Sequence, residues 1–257
     1  MTFDLSRKVA LVSGGNGGIG LGFADGLARA GADVVIWGSN PEKLASAETS
    51  LRRHGRRVLA QRCDVADETQ VEASFAAALS AMGRVDACFA NAGVTQRRAP
   101  LAELATAEWR RVLAVNLDGA FFTLRAACRH MIARAQAGDP GGRLVAVAST
   151  AAVHGPARAA AYGASKGALV AMTRALAVEM AHYEVTANAV LPGWIETEMT
   201  AAAVADEKFS GNVLPRIPMR RWGAPDDFAG IAVYLASEAS RYHTGDSLVI
   251  DGAYTIF

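Results

Sequence analysis

Tyr162 and Lys166 stand four residues apart in the stretch AYGASKGAL, among alanines and glycines. On a helix that spacing stacks the two side chains on one face, one turn apart. A phenol beside an ammonium is an acid–base device if sheltered, and a surface pair without chemical duty if not. Free tyrosine titrates near 10, and lowering that by about three units takes about 4 kcal/mol. One ammonium about 4 Å away, at an effective dielectric of about 20, supplies about that much. Burial works the other way, because it disfavours phenolate. Ser149, thirteen residues before Tyr162, adds a hydroxyl able to bond an oxygen on which charge develops.

A second constellation lies near the N-terminus, in Ser13-Gly14-Gly15-Asn16-Gly17-Gly18-Ile19-Gly20. It falls between a short apolar run and an amphipathic stretch, the place where a strand turns into a helix. Glycines there let the backbone approach a pyrophosphate, and the helix N-terminus supplies oriented N–H groups for its charge. A dinucleotide is the ligand this context predicts. After the second apolar run an acidic residue would favour NAD, and an arginine NADP. The chain has Trp37-Gly38-Ser39-Asn40 there, with neither, and the glycine loop carries no cation. Ser39 and Asn40 can bond a hydroxyl or a phosphate. The cofactor is therefore NAD or NADP, with a lean to NAD because no charge is evident to balance a 2′-phosphate.

These groups need elements to carry them. Apolar, β-rich runs recur at residues 9–12, 34–37, 58–60, 85–90, 144–148, 185–191 and 248–250. Amphipathic, alanine-rich stretches alternate with them at 19–30, 41–54, 69–81, 106–136, 161–181 and 225–236. Strands apolar throughout, alternating with helices, predict a parallel sheet of about seven strands covered on both faces. The fold class is α/β, a doubly wound Rossmann-type sheet. No linker, repeat or low-complexity tract divides the chain, so residues 1–257 read as one domain.

Composition narrows the function further. The chain is 51% hydrophobic with a net charge of +1, which points to neither nucleic acid nor an anionic membrane as partner. The basic run Arg52-Arg53-His54-Gly55-Arg56-Arg57 reads as a helix end, with cations on the dipole and Gly55 as the cap. No uncharged apolar segment is long enough for a bilayer, and the N-terminal apolar run is too short for a signal peptide. Cys63, Cys88 and Cys128 lack metal-ligand spacing and fit buried thiols of a reducing compartment. The expectation is a cytoplasmic protein with no metal site. A Ser-His-Asp hydrolase is disfavoured by the absence of a G-x-S-x-G elbow.

Four more stretches complete a pattern: Cys63-Asp64-Val65, Asn91-Ala92-Gly93, Asn116 in VNLDGAFF, and Ser149 ahead of Tyr162-x-x-x-Lys166. With SGGNGGIG in front, the chain resembles the short-chain dehydrogenase/reductase family in its single-domain form, from about residue 5 onward. The resemblance implies hydride transfer between NAD(P) and a secondary alcohol or ketone. It implies Tyr162 as acid or base, with Lys166 lowering its pKa and bonding the nicotinamide ribose. Ser149 would hold the substrate oxygen, and Asn116 a water leading from Lys166 to solvent. Gly14, Asn16, Gly18, Ile19 and Gly20 would surround the pyrophosphate, and Ser39 and Asn40 the adenosine ribose. Asp64 and Val65 would flank the adenine, although Asp64 could merely cap the next helix. Asn91, Ala92 and Gly93 would pass beneath the adenosine side. Pro192, Gly193, Ile195 and Thr197 would follow the sixth strand, with Ile195 and Thr197 holding the carboxamide. A homotetramer through the helices at 106–136 and 161–181 and the C-terminal region is the family's common assembly. Ser13 and Ala253 depart mildly, standing where threonine and a second glycine are usual.

Substrate selection belongs to the loops at the strand C-termini. Candidates are Gln96, Arg97 and Arg98, then residues 151–155 with His154, then an apolar lid at about 194–222 holding Trp194, Met199, Phe209, Val213 and Met219. Ser149, His154, Tyr162 and Trp194 are the expected substrate contacts. A sugar, sugar acid or polyol is favoured, and a 3-oxoacyl thioester or hydrophobic ketone is the alternative. A non-catalytic NAD(P)-binding regulator and a lyase or epimerase with resident NAD are the remoter readings.

Overall fold

Alternation along β1 (Val9–Ser13) sets the layering. Val9 and Leu11 point into one core, Ala10 and Val12 into the other, as a strand covered on both faces requires. The computed structural model describes residues 2–257. After β1 come α1 (Gly18–Arg29), β2 (Asp33–Gly38), α2 (Pro41–Arg52), β3 (Val58–Arg62), α3 (Glu68–Met82) and β4 (Ala87–Ala90). The second half runs α4 (Thr106–Leu113), a π-helical turn (Ala114–Asp118), α5 (Gly119–Gln136), β5 (Gly142–Val147), α6 (Ala160–Met180) and β6 (Val185–Pro192). Two short helices, α7 (Ala201–Ala205) and α8 (Glu207–Val213), precede α9 (Ala229–Ala236) and β7 (Ser247–Ile250).

All seven strands are parallel, in the order β3-β2-β1-β4-β5-β6-β7. The order reverses direction between β1 and β4, which opens a crevice beyond their C-terminal ends. One core packs Phe75 of α3, Leu124 of α5 and Leu169 of α6 under the sheet. The other packs Phe23 of α1, Leu44 of α2 and Leu235 of α9 over it, with Phe228 edge-on to Phe23 at 6.0 Å. Among the described residues no helix is long and apolar enough to cross a membrane.

The structure departs from the sequence reading in a few places. The stretch 106–136 is helical throughout, but one turn of it, Ala114–Asp118, is widened to a π-helix. The cause is Asn116, fully buried, whose Oδ1 accepts the Val94 N–H at 2.7 Å while its Nδ2 donates to the Val94 carbonyl at 3.0 Å. A widened turn lets that side chain reach the loop after β4, the usual setting of a π-bulge. Asp67, not Asp64, caps α3, accepting from the amides of Thr69 and Gln70. The C-cap of α2 is Arg53, with Gly55 two residues beyond it at φ +70°. The basic run at that end is partnered within the chain: Arg52 with Glu48, His54 with Asp25, and Arg56 and Arg57 with Asp33.

Ala253 sits in the left-handed region at φ +73°, which costs a residue bearing a Cβ about 1–2 kcal/mol. Ala253→Gly relieves that strain and loses part of the gain to the freer unfolded chain. The expected net is a stabilisation of about 0.5–1 kcal/mol, read by urea unfolding.

Candidate active site

The crevice between β1 and β4 is built from close backbone approaches. Gly14 leaves β1 at φ +65°, and a Cβ there would lie 2.9 Å from Asn91 Nδ2 and 3.0 Å from the Ala92 Cα. A Cβ on Gly20 would meet the Gly14 carbonyl at 2.2 Å. Ser13 keeps the hydroxyl of the usual threonine in use, its Oγ accepting the amides of Asn91 and Ala92 at 3.0 and 3.1 Å. The first turn of α1 has no side-chain cap, so its free N–H groups face the crevice. A glycine cradle ending in an uncapped helix N-terminus fits a diphosphate.

The resulting cleft, about 390 Å³, gathers most of the predicted residues. Gly14, Asn16, Gly18, Ile19 and Gly20 form its floor, with Ser39 and Asn40 at the β2 end. Asn91, Ala92 and Gly93 follow β4, and Pro192, Gly193, Ile195 and Thr197 follow β6. Ser149, Tyr162 and Lys166 line the same cleft. Asp64 and Val65 do not; Val65 is buried against Gly119, where an added Cβ would approach it to 2.7 Å.

Tyr162 and Lys166 share a face of α6, with the ammonium 5.7 Å from the phenol ring centre. Lys166 Nζ also donates to the Val147 carbonyl at 2.7 Å. Burial pulls the Lys166 ammonium down to about 8. It pushes the Tyr162 phenol up, against a downward pull from the Ser149 hydroxyl. Desolvation is the largest influence on the Tyr162 phenol, the opposition from burial already expected from the sequence. Ser149 caps a 3₁₀ turn (Thr150–Ala152), its Oγ accepting the Ala151 amide at 3.1 Å, which leaves its own proton for another oxygen. Asn116 lies behind the cleft wall and donates to Ser165 Oγ at 3.2 Å. A Cβ on Gly93 would sit 3.3 Å from Asn116 Oδ1 and 3.5 Å from Lys166 Nζ, so the two polar groups converge over that glycine.

Two expected substrate residues, Trp194 and His154, stand elsewhere. Trp194 packs at 5.1 Å from Phe209, 6.2 Å from Trp222 and 6.4 Å from Tyr254, and the exposed His154 lies edge-on to Tyr254 at 5.9 Å. Trp194 belongs to a small core with Val213, Ile217 and Tyr254, and neither it nor His154 lines the cleft. Of the lid candidates, Met199 reaches the cleft, whereas Met219 lines a second cavity beside Trp194 and Asp251. Gln96 is buried at 3% exposure beside α6, while Arg97 and Arg98 are exposed.

Lys43 and Glu198 were not foreseen. They line the cleft mouth and form an ion pair across it. Asn40 caps α2 by accepting the Lys43 amide at 3.0 Å, and Lys43 lines the cleft together with Ser39. Nothing in the sequence signals a pairing of residues so far apart.

A family model described as enoyl-(acyl carrier protein) reductase matches residues 14–255. The chain belongs to the short-chain dehydrogenase/reductase family. Within that family, gluconate 5-dehydrogenase of Gluconobacter oxydans (strain 621H) is 38% identical over 254 residues, covering 99% of this chain and 97% of the relative. The 3-oxoacyl-acyl-carrier-protein reductase FabG of Chlamydia pneumoniae is 35% identical over 255 residues, covering 99% and 100%. The crystal structure of a gluconate 5-dehydrogenase from Burkholderia cenocepacia J2315, in complex with NADP and tartrate, superposes with a TM-score of 0.93 at 38% identity. It covers 100% of this chain and 98% of that one. As a short-chain dehydrogenase/reductase the protein is an NAD(P)-dependent oxidoreductase of CH–OH and C=O groups.

Proposed function

We propose that the protein interconverts a secondary hydroxyl and a ketone on a sugar acid of the gluconate class, using NADP(H). The carrying observation is that Ser149, Tyr162 and Lys166 share one cleft with the glycine loop. The nicotinamide cofactor supplies or accepts the hydride when bound. Tyr162 gives its proton to the oxygen that gains charge on reduction, and recovers it on oxidation. Ser149 hydrogen-bonds that oxygen, and Lys166 with Asn116 carries the proton onward. The relatives that act on gluconate support the substrate class.

Lys43, which lines the same cleft as Ser39, offers a cation that the sequence reading lacked and supports NADP. The NADP held by the Burkholderia relative supports the same choice. Lys43→Gln is expected to weaken NADPH binding about tenfold and NADH binding less than twofold, because only NADPH carries the 2′-phosphate. Titration by quenching of tryptophan fluorescence reads both. Equal losses for the two cofactors overturn the choice.

The 3-oxoacyl thioester reading has its own support in the Chlamydia relative. Assay of gluconate, 5-ketogluconate, 2-dehydro-3-deoxygluconate and acetoacetyl-coenzyme A, each with NADP(H) and NAD(H), separates the two. Turnover of the thioester alone sinks the sugar-acid reading.

We also read the chain as a single Rossmann domain with a lid at about 194–222, acting in the cytoplasm as a homotetramer. The three buried free thiols support a reducing compartment. Phe121 on α5 and Val178 on α6, 42% and 81% exposed, support subunit contacts on those helices. Sedimentation of the purified protein tests the assembly.

A further inference from the structure

Helix α6, which carries Tyr162, begins without a cap of its own. Ala159 occupies the N-cap position and has no side-chain acceptor, although the first N–H groups of any helix need one. The acceptor comes from Gln96, in the loop after β4. Its Oε1 accepts the amides of Ala161 at 2.8 Å and of Tyr162 at 3.3 Å. Its Nε2 donates to the Arg158 carbonyl at 3.2 Å, an oxygen that also accepts the Ala99 amide at 3.0 Å. Arg158 holds a left-handed φ of +62°, a conformation that persists only where its surroundings enforce it. One buried carboxamide therefore ties the loop after β4 to the strained turn before α6 and to the backbone of Tyr162 itself.

We propose that Gln96 is a positioning residue for Tyr162, setting where the phenol projects relative to Ser149 and Lys166. It touches no reacting atom. The proposal rests on the acid–base reading of Tyr162, because only then does a small displacement of the phenol slow the chemistry more than binding.

The test compares Gln96→Leu and Gln96→Glu with the wild type, on the substrate found in the assay above and with NADPH. Gln96→Leu removes the acceptor and the donor at similar size. Its expected kcat is about 10- to 100-fold lower, with KM and NADPH affinity within about threefold. Gln96→Glu keeps the acceptor and adds a negative charge where the helix dipole favours one. It is expected to restore kcat to within about tenfold of wild type. It also moves the Tyr162 limb of the oxidation pH profile upward by about half a unit, since a nearby carboxylate disfavours phenolate.

A folded Gln96→Leu protein with wild-type kcat overturns the proposal. So does one in which kcat, KM and cofactor affinity all decay together, the mark of a merely structural role. If Gln96→Leu does not fold, Gln96→Glu decides, and an unmoved pH limb overturns the proposal. Tyr162→Phe serves as the control: if it retains turnover, the acid–base reading has failed and not the role of Gln96.

Discussion

Tyr162→Phe is expected to lose turnover by at least about a thousandfold while binding NADPH as tightly as the wild type. The substitution deletes one oxygen from a side chain that lines the cleft on α6. General acid–base catalysis is typically worth about 10² to 10⁴, and Phe has no proton to give or take. The ring remains, and so do the glycine cradle around Gly14 and the Lys166 contact with Val147. Binding and chemistry should therefore separate cleanly. Kd for NADPH from fluorescence should stay within about twofold, while kcat for reduction and for oxidation falls in parallel. Turnover within tenfold of wild type would falsify the acid–base role of Tyr162.

Lys166→Met is expected to abolish turnover as well, and to change how stability depends on pH. In the folded cofactor-free protein burial holds the Lys166 ammonium near 8, below its ordinary 10.5. Between those values the unfolded chain binds more protons than the folded one, so this group makes stability rise with pH. Its penalty is present in full below pH 8 and gone above about pH 10.5. The buried thiols act oppositely at alkaline pH, because burial raises Cys63, Cys88 and Cys128. They are common to both proteins and cancel in the difference. The stability of wild type minus that of Lys166→Met should rise by about 3 kcal/mol from pH 7 to pH 10.5. Urea unfolding at several pH values reads it. A flat difference would mean that Lys166 is not charged and desolvated in the folded state.

The chemistry and its scaffold were both legible because they rest on local patterns. Apolar runs alternating with amphipathic stretches required a parallel sheet with two covered faces, and the strand order β3-β2-β1-β4-β5-β6-β7 is the doubly wound one. The glycines at 14, 18 and 20 signalled a turn and a close approach, which Gly14 and Gly20 display. The four-residue spacing of Tyr162 and Lys166 determined their shared helix face.

Long-range geometry was decided only in three dimensions. Asn116 widens one turn of the helical stretch 106–136 where it reaches Val94, and no breaker residue announces that. Lys43 meets Glu198 because the ends of β2 and β6 open onto the same crevice. His154 and Trp194 were expected at the substrate, but Trp194 packs in the aromatic cluster around Tyr254 and the exposed His154 lies edge-on to that tyrosine. Gln96, read as a substrate residue from its place after Asn91-Ala92-Gly93, is instead the cap of α6. Periodicity and turn chemistry act over a few residues, so sequence alone determined the sheet, the helices and the residue types of the reaction. Which polar groups meet depends on contacts between distant segments, and the direction of the Tyr162 and Lys166 shifts depends on desolvation that only the packed cleft imposes.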